Sequence, residues 1–153
     1  MGQRHAEAYK KIKNVEVIGF SDSITKNANR LAKKFKIKTL TLDEILSDDC
    51  IDAVNICTPN ADHAKISIKM LNGGKHVLVE KPMAIKIKDC DKMIDTAKKN
   101  NLNLMIGQTY RFYPSSILAK KIINDKKIGK IKLAQIHGID PGFIKGQDKM
   151  PKW

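Results

Sequence analysis

The chain has 153 residues, of which 42% are hydrophobic, and carries a formal net charge of +13 at pH 7. This length and hydrophobic content suffice for one buried core, which excludes a wholly disordered chain. Only three of the 29 basic residues are arginines, the residue type that best recognises bases and phosphates, so the charge predicts a solvated lysine-rich surface. We therefore expect no nucleic acid among the partners of this protein.

The hydropathy, cysteine and histidine patterns argue against membrane proteins, disulfide-bonded proteins and metal sites. The sequence contains no run of 18 apolar residues and no secretory leader, which predicts a cytoplasmic protein without membrane contact. Cys50, Cys57 and Cys90 are odd in number and lack the spacing of metal ligands, so we expect reduced cysteines. The four histidines form no H-E-x-x-H pair, and no metal site is predicted.

Short apolar runs and amphipathic stripes alternate along the chain. Strands are predicted at 15–20, 37–40, 51–57, 77–79 and 102–106. Helices are predicted from residue 2 and around 28–35, 42–46, 61–71, 87–100 and 117–122. Thr41 and Glu44 form a capping-box pattern for the third helix, and Asn60 is expected to cap the fourth. The alternation predicts an α/β fold with a doubly wound parallel sheet.

Several polar residues directly follow predicted strands. Right-handed crossovers place the carboxyl ends of parallel strands at one edge, where open α/β sheets bind their ligands. Asp22, the residues 58–60 and the sequence Glu80–Lys81–Pro82 all fall at this edge. Taken alone, the last of these more often marks an ordinary strand end with a solvated lysine. Taken together, they predict a nucleotide site.

The beginning of the chain contains part of a dinucleotide-binding pattern. The full G-x-G-x-x-G is absent, but Gly2 starts a predicted helix and Asp22 follows the next strand, 20 residues later. An acidic residue at about that spacing typically binds the ribose of a dinucleotide. Asp22 could equally cap the helix that follows it. The spacing indicates a fingerprint whose first part would precede Met1.

Five segments, in this order, together resemble one protein family. They are Met1–His5, Ser21–Asp22, Asp52–His63, Gly74–Pro82 and Tyr110–Pro114. The D-A-V-x-I-x-T-P-N-x-x-H and E-K-P motifs within them are specific. On these residues the chain resembles the Gfo/Idh/MocA family of NAD(P)-dependent oxidoreductases over essentially its whole length.

The resemblance implies two domains. Residues 1–110 would form a dinucleotide-binding Rossmann domain that lacks its first strand and the first two glycines of its phosphate loop. Because that strand is central in the usual order, we expect a gap in the sheet. Residues 111–153 would begin a second α/β domain, with a strand at 131–136, and its catalytic aspartate and histidine would follow Trp153. The full-length protein would be a homo-oligomer.

The resemblance also implies roles for individual residues. Gly2 would end the phosphate loop, at a helix amino end that attracts pyrophosphate. Asp22 would bind the adenosine ribose and repel a 2′-phosphate, which favours NAD over NADP as the cofactor. Glu80 would reach the nicotinamide ribose. The remaining implied cofactor contacts are Thr58, Pro59, Asn60, His63, Lys81 and Arg111.

Lys81 is the implied catalytic residue. Its ammonium would hydrogen-bond the substrate hydroxyl and stabilise negative charge during hydride transfer, and the Lys81–Pro82 bond is expected to be cis. His63 has a second interpretation, as a satisfied helix residue that faces the sheet.

The family resemblance leads to two alternative functions. The first is an NAD-dependent dehydrogenase acting on a sugar, cyclitol or related polyol, with this chain as its cofactor-binding fragment. The alternative is a non-catalytic remnant of such an enzyme that binds nucleotide weakly.

Overall fold

A computed structural model describes residues 1–137. The chain divides into two compact units, Met1–Gly107 and the residues from Gln108 onward. Helices α1 to α5 of the first unit are Gly2–Tyr9, Thr25–Phe35, Leu42–Ser47, His63–Asn72 and Ile87–Lys99. Its strands β1 to β5 are Gly19–Phe20, Lys38–Thr39, Ala53–Ile56, His76–Val79 and Leu104–Ile106. The second unit contains a 3₁₀ turn, Thr109–Phe112, and helix α6, Pro114–Asn124.

The strands of the first unit form two parallel sheets. Strand β1 pairs with β2, and β4 lies between β3 and β5. Each connection between neighbouring strands contains a helix, as parallel pairing requires. A single strand inserted between β1 and β3 would complete the doubly wound order of a dinucleotide-binding sheet. The α/β prediction is confirmed, and the sheet is interrupted where the sequence predicted a gap.

The main core lies between the three-stranded sheet and the helices α4 and α5. Val77 and Val79 alternate with less buried residues along β4, so that one face of this strand is fully covered. Met70 and Leu71 of α4 and Met93 of α5 are completely buried in the same cluster. These side chains hold the sheet, and thereby the residues at its carboxyl edge, in place.

A smaller cluster forms around the two-stranded sheet. Helix α2 buries Ala28, Ala32 and Phe35. The ring of Phe35 packs edge-to-face against Phe20 of β1, with the ring centroids 5.2 Å apart. Such aromatic geometry stabilises a contact beyond its buried area, which suits a sheet of only two short strands.

The capping box predicted at the start of α3 is present. The Thr41 hydroxyl accepts a hydrogen bond from the backbone N–H of Glu44 at 3.1 Å, and the Glu44 carboxylate accepts one from the backbone N–H of Thr41 at 2.7 Å. The Glu44 carboxylate also accepts from the Thr41 hydroxyl at 2.9 Å, and its bonds from the Thr41 backbone and, second, from the Thr41 hydroxyl lower the pKa of Glu44. The pattern Thr-x-x-Glu thus correctly located the beginning of this helix.

Two local predictions are wrong. Asn60 does not cap α4 through its side chain, because a 3₁₀ turn over Asn60–Asp62 intervenes and α4 begins at His63. Residues 131–136 form no strand: Leu133 and Ile136 are 85% and 92% exposed, and no strand within residues 1–137 lies beside them to satisfy their backbone groups. The predicted strand at 15–20 also shortens to Gly19–Phe20, since β1 has a paired neighbour on one side only.

Replacing Met93 by alanine should destabilise the first unit. Met93 is completely buried between α5 and the sheet, so its truncation removes apolar contacts and leaves a cavity. We expect the free energy of unfolding to fall by about 2–5 kcal/mol, measured by urea denaturation. Ile87→Ala on the same helix is the control, because Ile87 is 83% exposed and its loss should change stability by less than about 0.5 kcal/mol. Equal effects of the two substitutions would contradict this assignment of the core.

Candidate functional site

The carboxyl ends of β3, β4 and β5 are aligned by backbone hydrogen bonds. The N–H of Glu80 donates to the carbonyl of Ile56 at 2.9 Å, and the N–H of Gly107 donates to that of Val79 at 2.8 Å. The residues that follow these three strands therefore lie side by side. The predicted polar edge of the sheet is present. Thr58 follows one strand, and Glu80 and Lys81 follow the neighbouring strand.

Glu80 is one of the two buried residues among the predicted site residues, with His63. Only 8% of it is exposed, and its two carboxylate oxygens accept from different donors. His5 Nε2 lies 2.8 Å from Oε1, and the backbone N–H of Lys81 donates to Oε2 at 3.1 Å. A carboxylate oxygen only accepts, so His5 carries a proton on Nε2. A Cβ atom at Gly107 would lie 3.5 Å from the Glu80 carboxyl carbon, so the glycine borders this side chain closely.

Helix α1 begins beside the end of β3. A Cβ atom placed on Gly2 would lie 3.8 Å from Cβ of Cys57, the residue after β3. The first turn of α1 contains no acidic side chain. The amino end of a helix has free N–H groups and a positive dipole, which favour an anion. Gly2 thus lies where a phosphate-binding helix end would meet the sheet edge.

Burial determines the state of the two weak acids near Glu80. It raises the pKa of Cys57 to about 11, and the neighbouring Glu80 carboxylate adds to the increase. It also raises the pKa of Tyr9, with smaller contributions from Cys57 and Glu80. Cys57 is therefore a neutral thiol at physiological pH and has no nucleophilic role here. Tyr9 likewise stays protonated.

His63 is completely buried at the start of α4. Its Nδ1 lies 2.7 Å from the carbonyl oxygen of Pro82, and its Nε2 lies 2.9 Å from that of Thr58. The ring therefore links the loop after β3 to the loop after β4. Both partners are acceptors, so a neutral ring donates to one of them and an imidazolium donates to both. This geometry favours the interpretation of His63 as a satisfied helix residue over direct contact with a cofactor.

Four other predicted residues remain open to solvent or ligand. Asp22 follows β1 and is exposed, and its Oδ1 accepts from the N–H of Ile24 at 2.8 Å. That bond is local and precedes α2, whose N-cap is Ile24 without a side-chain cap bond, so Asp22 does not cap the helix. Its carboxylate has further acceptor positions for a ribose. Lys81 is exposed, takes part in no ion pair found within residues 1–137, and precedes a cis proline as predicted. Pro59 and Asn60 are also exposed.

The hydroxyl of Thr58 is buried and has no hydrogen-bond partner within residues 1–137. A buried hydroxyl without a partner is rare and costly, so it marks a position where a ligand group could bind. Arg111, by contrast, belongs to the second unit, where it lies exposed on the 3₁₀ turn. Its contribution to a cofactor site stays a prediction.

His5 contacts the predicted site residue Glu80, although the sequence analysis assigned His5 no role. Its signal was its position one helical turn after Gly2, because a residue there faces the same edge as the helix start. Its partner is 75 residues away in the chain, and sequence spacing alone does not identify such a partner.

No group of three or more His, Cys, Asp or Glu side chains within residues 1–137 could hold a metal ion. Over the same residues, no helix has both the length and the apolar character needed to cross a bilayer.

Comparison with known proteins identifies the family. The family model described as an oxidoreductase family with an NAD-binding Rossmann fold matches residues 1–108. Glucose-6-phosphate 3-dehydrogenase of Bacillus subtilis is 31% identical over 138 residues, which are 90% of this chain and 39% of that protein.

Two solved structures share the fold. Myo-inositol 2-dehydrogenase of Lactobacillus plantarum is 28% identical, with a TM-score of 0.71 over 85% of this chain and 40% of that one. Scyllo-inositol dehydrogenase of Lactobacillus casei, with bound NAD(H) and scyllo-inositol, is 25% identical, with a TM-score of 0.73 over 85% of this chain and 39% of that one. The chain thus spans about two fifths of the length of these relatives. The family resemblance found in the sequence is confirmed: this chain belongs to the Gfo/Idh/MocA family of oxidoreductases, which have an NAD-binding Rossmann fold.

Proposed function

We propose that this chain is the cofactor-binding part of an NAD-dependent dehydrogenase that oxidises a hydroxyl group of a sugar, cyclitol or related polyol. The observation that carries the proposal is the geometry of β4, which ends in a buried Glu80 and an exposed Lys81 at the carboxyl edge of the sheet. Open α/β sheets bind nucleotides at this edge. The relative from Lactobacillus casei, whose structure contains NAD(H) and scyllo-inositol, supports both the cofactor and the class of substrate.

The described residues suit a dinucleotide in three ways. The start of α1 beside Cys57 offers N–H groups for a pyrophosphate, and the exposed Asp22 carboxylate can accept from ribose hydroxyls. The hydroxyl of Thr58, which follows the strand next to the one that precedes Glu80, has no partner within residues 1–137 and could bond to a ligand. When bound, the nicotinamide would supply the acceptor for the hydride.

Lys81 would act on the substrate oxygen. Oxidation of a hydroxyl places negative charge on its oxygen as the carbon loses hydride, and an ammonium directed at that oxygen stabilises the charge. The exposed side chain of Lys81 is free of competing carboxylates among residues 1–137, which suits this role. The hydroxyl proton requires a base as well, and none of the site residues proposed here provides one.

The preference for NAD over NADP should depend on Asp22. In an NMR titration of the isotope-labelled chain, we expect NAD to bind at least about tenfold more tightly than NADP, because the Asp22 carboxylate repels a 2′-phosphate. Asp22→Asn removes that repulsion and weakens the bond to the ribose, so the two affinities should converge. Asp52→Asn, an exposed carboxylate at the amino end of β3, is the matched control and should leave the ratio unchanged. Tighter binding of NADP by the unaltered chain would contradict the role of Asp22.

The 153-residue chain alone should catalyse no hydride transfer. We expect no NADH formation, followed at 340 nm, with NAD and inositol, glucose or other polyols, because Lys81 lacks a positioned base for the substrate proton. Turnover that disappears in Lys81→Ala would show that this expectation is wrong. Failure of the chain to bind either NAD or NADP would instead favour the non-catalytic alternative.

A further inference from the structure

The carboxylate of Glu80 connects helix α1 to the backbone of Lys81. His5 donates from Nε2 to Oε1 at 2.8 Å, and the Lys81 N–H donates to Oε2 at 3.1 Å. The two oxygens belong to one rigid planar group. A donor that fixes one oxygen therefore also fixes the direction in which the other faces Lys81.

The surroundings of this carboxylate limit its freedom. The side chains of His5 and Glu80 are 19% and 10% exposed, so water has little access to replace either bond. A Cβ atom added to Gly107 would already be in van der Waals contact with Glu80, at 3.5 Å. The Tyr9 ring stands edge-on to the His5 ring, with the centroids 6.2 Å apart. Hydrogen bonds to a charged group in such a setting are stronger than those at the surface.

We propose that His5 is a positioning residue that sets the conformation of Lys81 through Glu80, an inference that rests on the proposed function of Lys81. With His5 in place, the Glu80 carboxylate is occupied by two N–H donors. Without His5, the Oε1 atom of Glu80 loses its donor. The cationic side chain nearest to Glu80 along the sequence is then that of Lys81, the next residue. A Lys81 ammonium drawn back onto Glu80 would face away from the substrate oxygen.

The first test measures the backbone of Lys81 and needs no ligand. In the ¹⁵N-labelled chain, His5→Ala should shift the Lys81 amide resonance and increase its hydrogen-exchange rate by about tenfold, because the oxygen that accepts its N–H is no longer oriented. His5→Gln places an amide donor near the position of Nε2 and should restore most of the protection. Glu7→Gln, on the exposed face of the same helix, is the matched control and should leave the amide unchanged.

The second test separates positioning from a general loss of structure. We expect His5→Ala to weaken NADH binding by about tenfold, because NADH reaches the nicotinamide end beside Lys81. Binding of ADP, which lacks nicotinamide and its ribose, should change by less than about twofold. His5→Gln should restore NADH affinity. Affinities are measured by NMR titration, which also reports whether each variant is folded.

The outcomes distinguish the two proposals. A Lys81 amide that is unchanged in folded His5→Ala would overturn the positioning role, whatever the chain binds. Equal weakening of NADH and ADP, or a failure of His5→Gln to restore both readouts, would also overturn it by indicating a purely structural effect. If the unaltered chain binds neither ligand, the proposed function fails, and the ligand-free amide measurement still decides the role of His5.

Discussion

The Glu80 carboxylate is the interaction on which the candidate site depends. A nearly buried carboxylate is stable only when donors satisfy it, and here one donor comes from α1 and the other from the adjoining backbone. The strand that carries it is fixed by the bond from the Glu80 N–H to Ile56 and by the buried valines of β4. Core packing thus determines where Glu80 lies, and its hydrogen bonds determine how the following Lys81 is presented.

A second set of hydrogen bonds holds the same loop in place. His63 lies between the carbonyl oxygens of Thr58 and Pro82, and so joins the segments that follow β3 and β4. Its two hydrogen bonds explain how a polar residue can be completely buried in the first turn of α4. The residues on both sides of the exposed Lys81 are therefore held by polar contacts: His5 holds the Glu80 carboxylate, and His63 holds the carbonyl of Pro82. Preorganisation of this kind is what a group that stabilises developing charge requires.

Local patterns in the sequence predicted much of this arrangement. The apolar run at 77–79, the helix stripes and the Thr41–Glu44 capping box all depend on neighbours within a few residues, so each could be recognised directly. The contact between His5 and Glu80 joins positions 75 residues apart, and no spacing rule contains it. The strand predicted at 131–136 failed for a related reason. Alternating hydrophobicity indicates what a segment could form, whereas a strand also requires a neighbour to pair with.

Helix α1 is one of the elements that join the two sheets into one unit, beside Ile18, Leu40 and Ile45, which lie in or against the main core. Towards α2, Glu7 pairs with Lys34 at 2.9 Å, and the Lys10 ammonium lies 4.8 Å from the centroid of the Phe35 ring. Towards the three-stranded sheet, the same helix contributes the part-buried bond from His5 to Glu80. The Glu7–Lys34 pair is about half exposed and contributes little, so α1 is anchored more firmly to the larger sheet.

The proposed ligand would contact residues that follow strands of both sheets. Asp22 follows a strand of the smaller sheet, whereas Glu80 and Lys81 follow a strand of the larger one. A dinucleotide held at both ends would therefore bridge two sheets that share no strand pairing and are joined by α1 and by the packing of Ile18, Leu40 and Ile45 in or against the main core. A ligand that binds only the joined arrangement stabilises that arrangement, and the effect grows with its affinity and concentration. The arrangement of the two sheets and the binding of the cofactor would then be coupled, and α1 with its bond to Glu80 would take part in that coupling.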